Sequence, residues 1–390
     1  MINKMMPKVR FEGFSQHWEL KCLGDLCVIT TGKLDANAMV ENGDYDFYTS
    51  GIKKYKIDVP AFEGPAITVA GNGATAGYMH LADGLFNAYQ RTYVLTNFLA
   101  NREFLYQVIG NELPRTINQE ARKGNIPYIV MNMLTNLKIF IPKNEEQQKI
   151  GEFFKQLDDR ITLQQSHVEQ LKQSKQGFLQ KMFPKDGESV PEVRFDNFHD
   201  KWIEHRLSDG MTEYTDRVII ENHKKYNQVS VKNIGEITLR GEKKGSEIGR
   251  KRQSKVNLKD FPVTLIFTRQ TIEQGGIGFA PIETDGAIVT ENMPTISINT
   301  KIFDKEYLRI FFKTEVFRKK VILPNIQGGT AQIAIHEDNI ISSTVPFPHI
   351  CEQQKIGEFF KKLDDLIAKN ERELELLQET KKGFLQKMFV

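Results

Sequence analysis

The chain has 390 residues, and its 53 lysines and arginines nearly balance 50 aspartates and glutamates, so global charge does not mark a nucleic-acid partner and any basic surface must be local. No apolar run approaches the roughly 20 residues that span a bilayer, and residues 1–10 lack the apolar core of a signal peptide. The expectation is a cytoplasmic protein of two or three domains with no membrane partner. Cys22, Cys27 and Cys351 show neither metal-ligand spacing nor a disulfide framework and are read as structural.

In chain order, residues 7–18 read PKVRFEGFSQHW and return at 191–202 as PEVRFDNFHDKW. Six of the twelve positions are identical at an offset of 184, among them the only two tryptophans, Trp18 and Trp202. The match continues weakly through Leu23/Leu207 and Asp25/Asp209. Residues 19–142 then alternate turn residues with β-like runs at 47–48, 66–70, 91–95 and 137–141, with a helix near 102–110. Lys53, Lys54 and Lys56 flank Tyr55, and Arg115, Arg122 and Lys123 lie on a polar stretch before a strand. Loop residues able to bond bidentately to base edges are Asn72, Gln90, Arg91, Asn118 and Gln119. Taken singly, each reads more readily as an ordinary polar surface residue than as a base contact.

After Pro142 the pattern becomes helical. Ile150, Phe154, Leu157, Ile161, Gln164, Val168, Leu171, Lys175, Phe178 and Met182 form an a/d seam over five heptads. The block EQQKIGEFFKQLDDRI at 146–161 returns as EQQKIGEFFKKLDDLI at 352–367, identical at fourteen of sixteen positions. KQGFLQKMF at 175–183 returns as KKGFLQKMF at 381–389, identical at eight of nine. Both matches have an offset of 206, so the second half carries 22 more residues between its matched ends. The second seam is Ile356, Phe360, Leu363, Ile367, Asn370, Leu374, Leu377, Lys381, Phe384 and Met388. Each helix, of about 37 residues, would be roughly 55 Å long. Gly177 and Gly383 each cost roughly 1 kcal/mol in a helix interior, so a bend is allowed there. A stripe this long needs a partner, and the nearest is the other copy. The repeated polar positions Gln164/Asn370 and Lys175/Lys381 would set its register.

The second middle, 203–348, has strand-like runs at 228–231, 263–268, 287–290 and 295–298 and a helix near 305–320. Between 240 and 259 stand Arg240, Lys243, Lys244, Arg250, Lys251, Arg252, Lys255 and Lys259, spaced by Gly241, Gly245 and Gly249; this reads as a long flexible loop. Such a loop neutralises phosphates or is simply solvated. Further base-edge candidates are Arg269, Gln270, Asn292 and Gln327. Both middles read as α+β.

No catalytic motif survives inspection. AGNGATAG at 70–77 fits a dinucleotide fingerprint formally, but no helix pattern or βαβ unit surrounds it, so it reads as a tight loop between strands. TGKL at 31–34 lacks the rest of a P-loop, and eight histidines are scattered without ligand spacing. The pairs Asp158–Asp159 and Asp364–Asp365 read as helix-face or partner contacts rather than an acid/base pair. No metal site is expected.

The repeated helical blocks, with the proline-bounded strands at 139–142 and 345–348, resemble the conserved regions of type I restriction–modification specificity subunits. The stretches TTGKLDANAMVENGDYDFYTSG and ITVAGNGATAGYMH resemble that family's target-recognition domains. The resemblance covers essentially the whole chain. It implies recognition domains at 1–142 and 185–348 and helices at 143–184 and 349–390, forming an antiparallel coiled coil with pseudo-twofold symmetry. It implies further that each domain reads one half of an asymmetric, split site in double-stranded DNA, and that the helices set the gap. Two methyltransferase subunits would dock on the conserved parts, with restriction subunits able to join. S-adenosylmethionine and ATP would belong to those partners, and this chain would be non-catalytic. Domains held roughly 35–55 Å apart would sit about one turn of DNA or slightly more apart. A coiled-coil adaptor that never touches DNA is the main alternative. A fused methyltransferase is disfavoured, because the sequence lacks that enzyme's N-P-P-aromatic and F-x-G-x-G motifs.

Overall fold

The computed structural model describes residues 6–120, 127–326 and 334–390. It divides into two units, Met1–Ser166 with Glu371–Val390, and His167–Asn370.

In the first unit, strands Val28–Thr31, Thr92–Thr96, Ala66–Ala70 and Met79–Ala82 form an antiparallel sheet in that order. Ala66–Ala70 is buried at every position, as a strand covered on both faces must be. Its Ile67 and Val69 pack with Phe104, Leu105 and Val108 of helix Arg102–Glu120. That helix outruns the expected 102–110 and passes through Pro114, because Leu113 and Ile117 beyond Gly110 bury in the same core. A second sheet runs Lys54–Ile57, Tyr45–Tyr48, Leu85–Ala88, Phe62–Glu63, with its middle pair parallel. Glu19–Cys22 pairs with Lys138–Ile141.

The second unit repeats this plan, although the two middles share little sequence. Met211–Tyr214, Thr295–Ile298, Thr264–Phe267 and Ile277–Phe279 follow the order of the first sheet, and Ile203–Arg206 pairs with Thr344–Phe347. The other sheet runs Ile237–Lys244, Lys225–Val231, Ile288–Val289, Arg252–Lys255, again with the middle pair parallel, and adds an edge strand, Asp216–Ile219. The offset between equivalent strands grows from 183 (Val28 against Met211) to 198 (Ala66 against Thr264), so fifteen of the 22 extra residues fall in this interval. The expected helix at 305–320 is broken after Phe311, because the Thr314 hydroxyl caps a new turn by accepting from Phe317 N at 3.2 Å.

The basic run at 240–259 is not the flexible loop its glycines suggested. It supplies strands Ile237–Lys244 and Arg252–Lys255. Gly241, at φ +125°, sits where the register shifts by one residue against Gln228 and Val229. A Cβ on Gly245 would lie 2.1 Å from the Glu221 carbonyl oxygen. These glycines serve a bulge and a close approach, not mobility.

The long helices are Asn144–Lys181 and Ile350–Met388. In the first unit residues 144–166 run antiparallel to 371–388. Arg160 meets Glu373 at 3.8 Å, Asp158 meets Lys381 at 2.5 Å, and the Phe153 and Phe384 rings are 5.0 Å apart. In the second unit residues 167–181 run antiparallel to 350–370: Lys175 meets Asp364 at 2.5 Å and Phe178 meets Phe359 at 5.0 Å. Seam residues Ile150, Phe154, Ile161, Val168, Ile356, Phe360 and Ile367 are buried. Leu157, Leu171, Phe178, Leu363, Leu374, Leu377 and Phe384 are half-buried. The repeated lysines on the seam are thus answered by the repeated aspartates, which explains Asp158 and Asp364 without catalysis.

Neither helix breaks at its glycine. Nothing lies within 4 Å of a Cβ built on Gly177 or Gly383. Gly177→Ala and Gly383→Ala are therefore each expected to stabilise by about 1 kcal/mol, read as a raised denaturation midpoint. Gly151 and Gly357 are the contrast: a Cβ would stand 2.9 Å from Phe104 N and 2.6 Å from Tyr307 N. Alanine at either is expected to lower the midpoint.

The repeated ends interlock the same way in each unit. Arg10 donates a fork to Glu146 at 2.8 and 2.7 Å, and Arg194 to Glu352 at 2.6 and 2.7 Å. Gln147 donates to the Pro142 carbonyl and accepts from Asn101 N. Gln353 donates to the Pro348 carbonyl and accepts from Asp304 N. Asn101 and Asp304 in turn accept from Phe104 N and Tyr307 N, capping helices Arg102–Glu120 and Lys305–Phe311.

Candidate nucleic-acid interface

In the first unit the strand ends bring loops 49–53, 71–78 and 89–91 together. Gly71 N donates to the Arg91 carbonyl at 2.8 Å, and Gly73 N to the Pro127 carbonyl at 3.0 Å. A Cβ on Gly71 would lie 2.2 Å from the Arg91 oxygen, so only glycine allows this approach. The AGNGATAG stretch is the tight loop between strands that its sequence suggested, with Gly73 and Gly77 at φ +87° and +89°.

Of the expected contact residues, Asn72 is held here: Ser50 Oγ donates to its Oδ1 at 2.7 Å, and Thr75 Oγ1 donates to the Ser50 carbonyl. Lys53 and Lys54 lie over the Tyr55 and Tyr48 rings at 5.3 and 5.4 Å. Arg91 is exposed with no ion pair among the described residues. Gln90 is committed elsewhere, donating to Asp35 Oδ1 at 2.6 Å. Arg115 pairs with Glu112, while Asn118 and Gln119 are exposed late in helix Arg102–Glu120. Arg122 and Lys123 lie outside the described residues. The sequence reading missed Ser50, Thr75, Tyr78 and His80. The His80 ring packs on Tyr48 and Tyr78, with centroids 5.1 and 4.9 Å away. Burial holds its imidazole below the ordinary value, more than the Gly51 carbonyl raises it, so it is neutral at pH 7.

In the second unit Lys243 and Lys244 project from the hairpin opposite Tyr226 and Lys225. Lys251 donates to Asn222 at 2.8 Å and to the Gly245 carbonyl at 2.5 Å; Lys255 meets Asp216 at 3.5 Å; Arg250 pairs with Glu291. Arg252 and Arg269 share a cleft of about 410 Å³ with Arg217 and Glu213, two residues the sequence did not single out. Arg269 is half-buried and forks onto Glu337 at 2.8 and 2.5 Å. Burial opposes ionisation of Glu337, but the Arg269 bonds outweigh it and hold the carboxyl below its usual range. Burial, then the neighbouring Glu337 and Asp338, push Glu213 up. Gln270 and Asn292 are exposed; Gln327 lies outside the described residues. The exposed lysines and arginines can neutralise phosphates, and the loop amides and guanidiniums can address base edges.

Among the described residues no group of three or more His, Cys, Asp or Glu could hold a metal ion, and no helix is long and apolar enough to cross a membrane. Burial pushes the Cys27 thiol up to about 12, consistent with a packing role. Cys351 was read as structural too, but it is exposed in the first turn of its helix.

A family described as "Type I restriction modification DNA specificity domain" matches residues 15–173 and 202–379. The type I restriction enzyme EcoDI specificity subunit of Escherichia coli is 35% identical over 182 residues, 46% of this chain and 40% of that protein. The chain thus aligns with less than half of that relative's length. The MjaVIII specificity subunit of Methanocaldococcus jannaschii is 24% identical over 293 residues, 72% of this chain and 68% of that one. A crystal structure of the type I restriction–modification S subunit from M. genitalium matches with a TM-score of 0.67 at 18% identity, covering 99% of both chains, and shares the fold.

Proposed function

Because the chain belongs to the type I restriction–modification DNA specificity family, we propose that it reads a split, asymmetric site in duplex DNA, one half with each unit. The observation that carries this reading is the pair of units: one strand order, identical anchoring of the repeated ends, and unlike loops at the strand ends. Two like readers favour a palindrome; two unlike ones favour unlike half-sites.

The repeated parts must be alike because their partners are alike. They dock two methyltransferase subunits, with restriction subunits joining them, and the helices set the gap between half-sites. S-adenosylmethionine and ATP with magnesium act on those subunits. This chain contributes binding and geometry, not chemistry.

An anisotropy titration of the methyltransferase complex against random duplex is the direct test. Affinity should fall steeply as salt rises, because neutralised phosphates release counterions. Binding that does not change with salt would leave the adaptor reading in its place. Removing one heptad from each helix should shorten the gap in the methylated site; altered half-sites with the gap unchanged would rule out the ruler.

A further inference from the structure

The second unit's added strand, Asp216–Ile219, pairs with Arg252–Lys255 so that Arg217 faces Ser254 and Ile219 faces Arg252. Strand alternation therefore puts both arginines on one face, as diagonal neighbours about 7–8 Å apart. That face lines the cleft, with Glu213, Arg269 and Glu291 around it. Arg250 and Arg269 are tied to Glu291 and Glu337, whereas Arg217 and Arg252 have no ion pair among the described residues. Among the described residues the first unit has no counterpart. Its equivalent of Arg252–Lys255 is the two-residue strand Phe62–Glu63, which carries no cation, and no further strand is added beside it.

The lining discriminates between ligands. A phosphate offers only acceptors, and Glu213 and Glu291 would repel it. The major-groove edge of a G·C pair offers both kinds of group: guanine O6 and N7 accept a guanidinium fork, and cytosine N4 donates to a carboxylate. We infer that this face reads a G·C pair in the second unit's half-site, with Arg217 and Arg252 supplying donors to guanine and Glu213 the acceptor for cytosine. The inference rests on the DNA reading proposed above.

The test uses the methyltransferase complex and duplexes carrying its methylated site, each with one base pair exchanged. Arg217→Lys and Arg252→Lys keep the charge and lose the fork. They should weaken cognate binding roughly 10–100-fold and abolish discrimination at one G·C position of one half-site, with the salt slope unchanged. Glu213→Gln should relax the same position. If lysine variants bind like the parent while alanine variants weaken every duplex alike and lower the salt slope by about one, the arginines clamp phosphate and the base assignment is overturned. Alanine variants that bind like the parent overturn it as well. If the unaltered complex shows no salt-dependent binding to any duplex, the DNA reading falls and this inference falls with it.

Discussion

Replacing Phe389 by alanine is expected to unfold the first unit while leaving the second intact. Phe389 is the penultimate residue, yet its ring lies 6.2 Å from Trp18, 5.6 Å from Phe104 and 5.7 Å from Phe154. It is 6% exposed and belongs to the core that holds the sheet strands Ala66–Ala70 and Thr92–Thr96 against their helix. Truncating a buried phenylalanine costs about 3–5 kcal/mol, a large part of the stability of an ordinary domain. Phe183 does the same work in the second unit, 6.0 Å from Trp202 and 5.6 Å from Tyr307. Hydrogen exchange separates the two cases. Phe389→Ala should remove protection at 66–70 and 92–96 and spare 264–267 and 295–298; Phe183→Ala should do the reverse. Equal loss in both units from either variant would contradict this division of the core.

The second large effect is expected at the paired arginine clamps. Glu352 is 1% exposed on its side chain and Arg194 12%; for Glu146 and Arg10 the values are 2% and 9%. Arg194→Met leaves a carboxylate buried and unpaired and should cost about 3–5 kcal/mol. Arg194→Met with Glu352→Leu should recover most of that loss, because it removes both desolvated charges together. Nη1 of each arginine is buried without a hydrogen-bond partner among the described residues, so even the intact clamp is not fully satisfied. Denaturant midpoints of the two single variants and the double variant close the cycle. A double variant no more stable than Arg194→Met alone would mean that the clamp holds the segment by geometry that leucine and methionine cannot replace.

Much of this was legible because it is local or repetitive. Helical periodicity located both long helices within a few residues, and short β-branched runs located Ala66–Ala70 and Thr295–Ile298 to the residue. Identity at an offset of 206 marked the anchoring residues Glu146, Gln147 and Gly151 and their copies, without saying what they touch. The candidate site was legible only as residue types. Asn72 could be picked as a base-edge amide, but not its support from Ser50. Arg252 could be picked from a basic run, but not its neighbour Arg217, which lies 35 positions earlier in the chain. Glycines in the basic run suggested mobility, since sequence does not distinguish a bulge from a flexible linker.

The sequence by itself determined that the chain is a duplication with like ends, unlike middles and two seamed helices. Only the tertiary structure decided which pieces make one folding unit. Read along the chain, each helix belongs to the half it follows. In space the first unit takes residues 144–166 and closes its core with 381–389 from the other copy, while the second takes 167–183 with 350–370. The physical reason is antiparallel pairing. The two KxGFLQKMF segments are nearly identical and suit either core equally, so no local preference assigns them. The direction in which the helices run past each other places the end of one beside the start of the other, and that alone selects the tryptophan each segment covers.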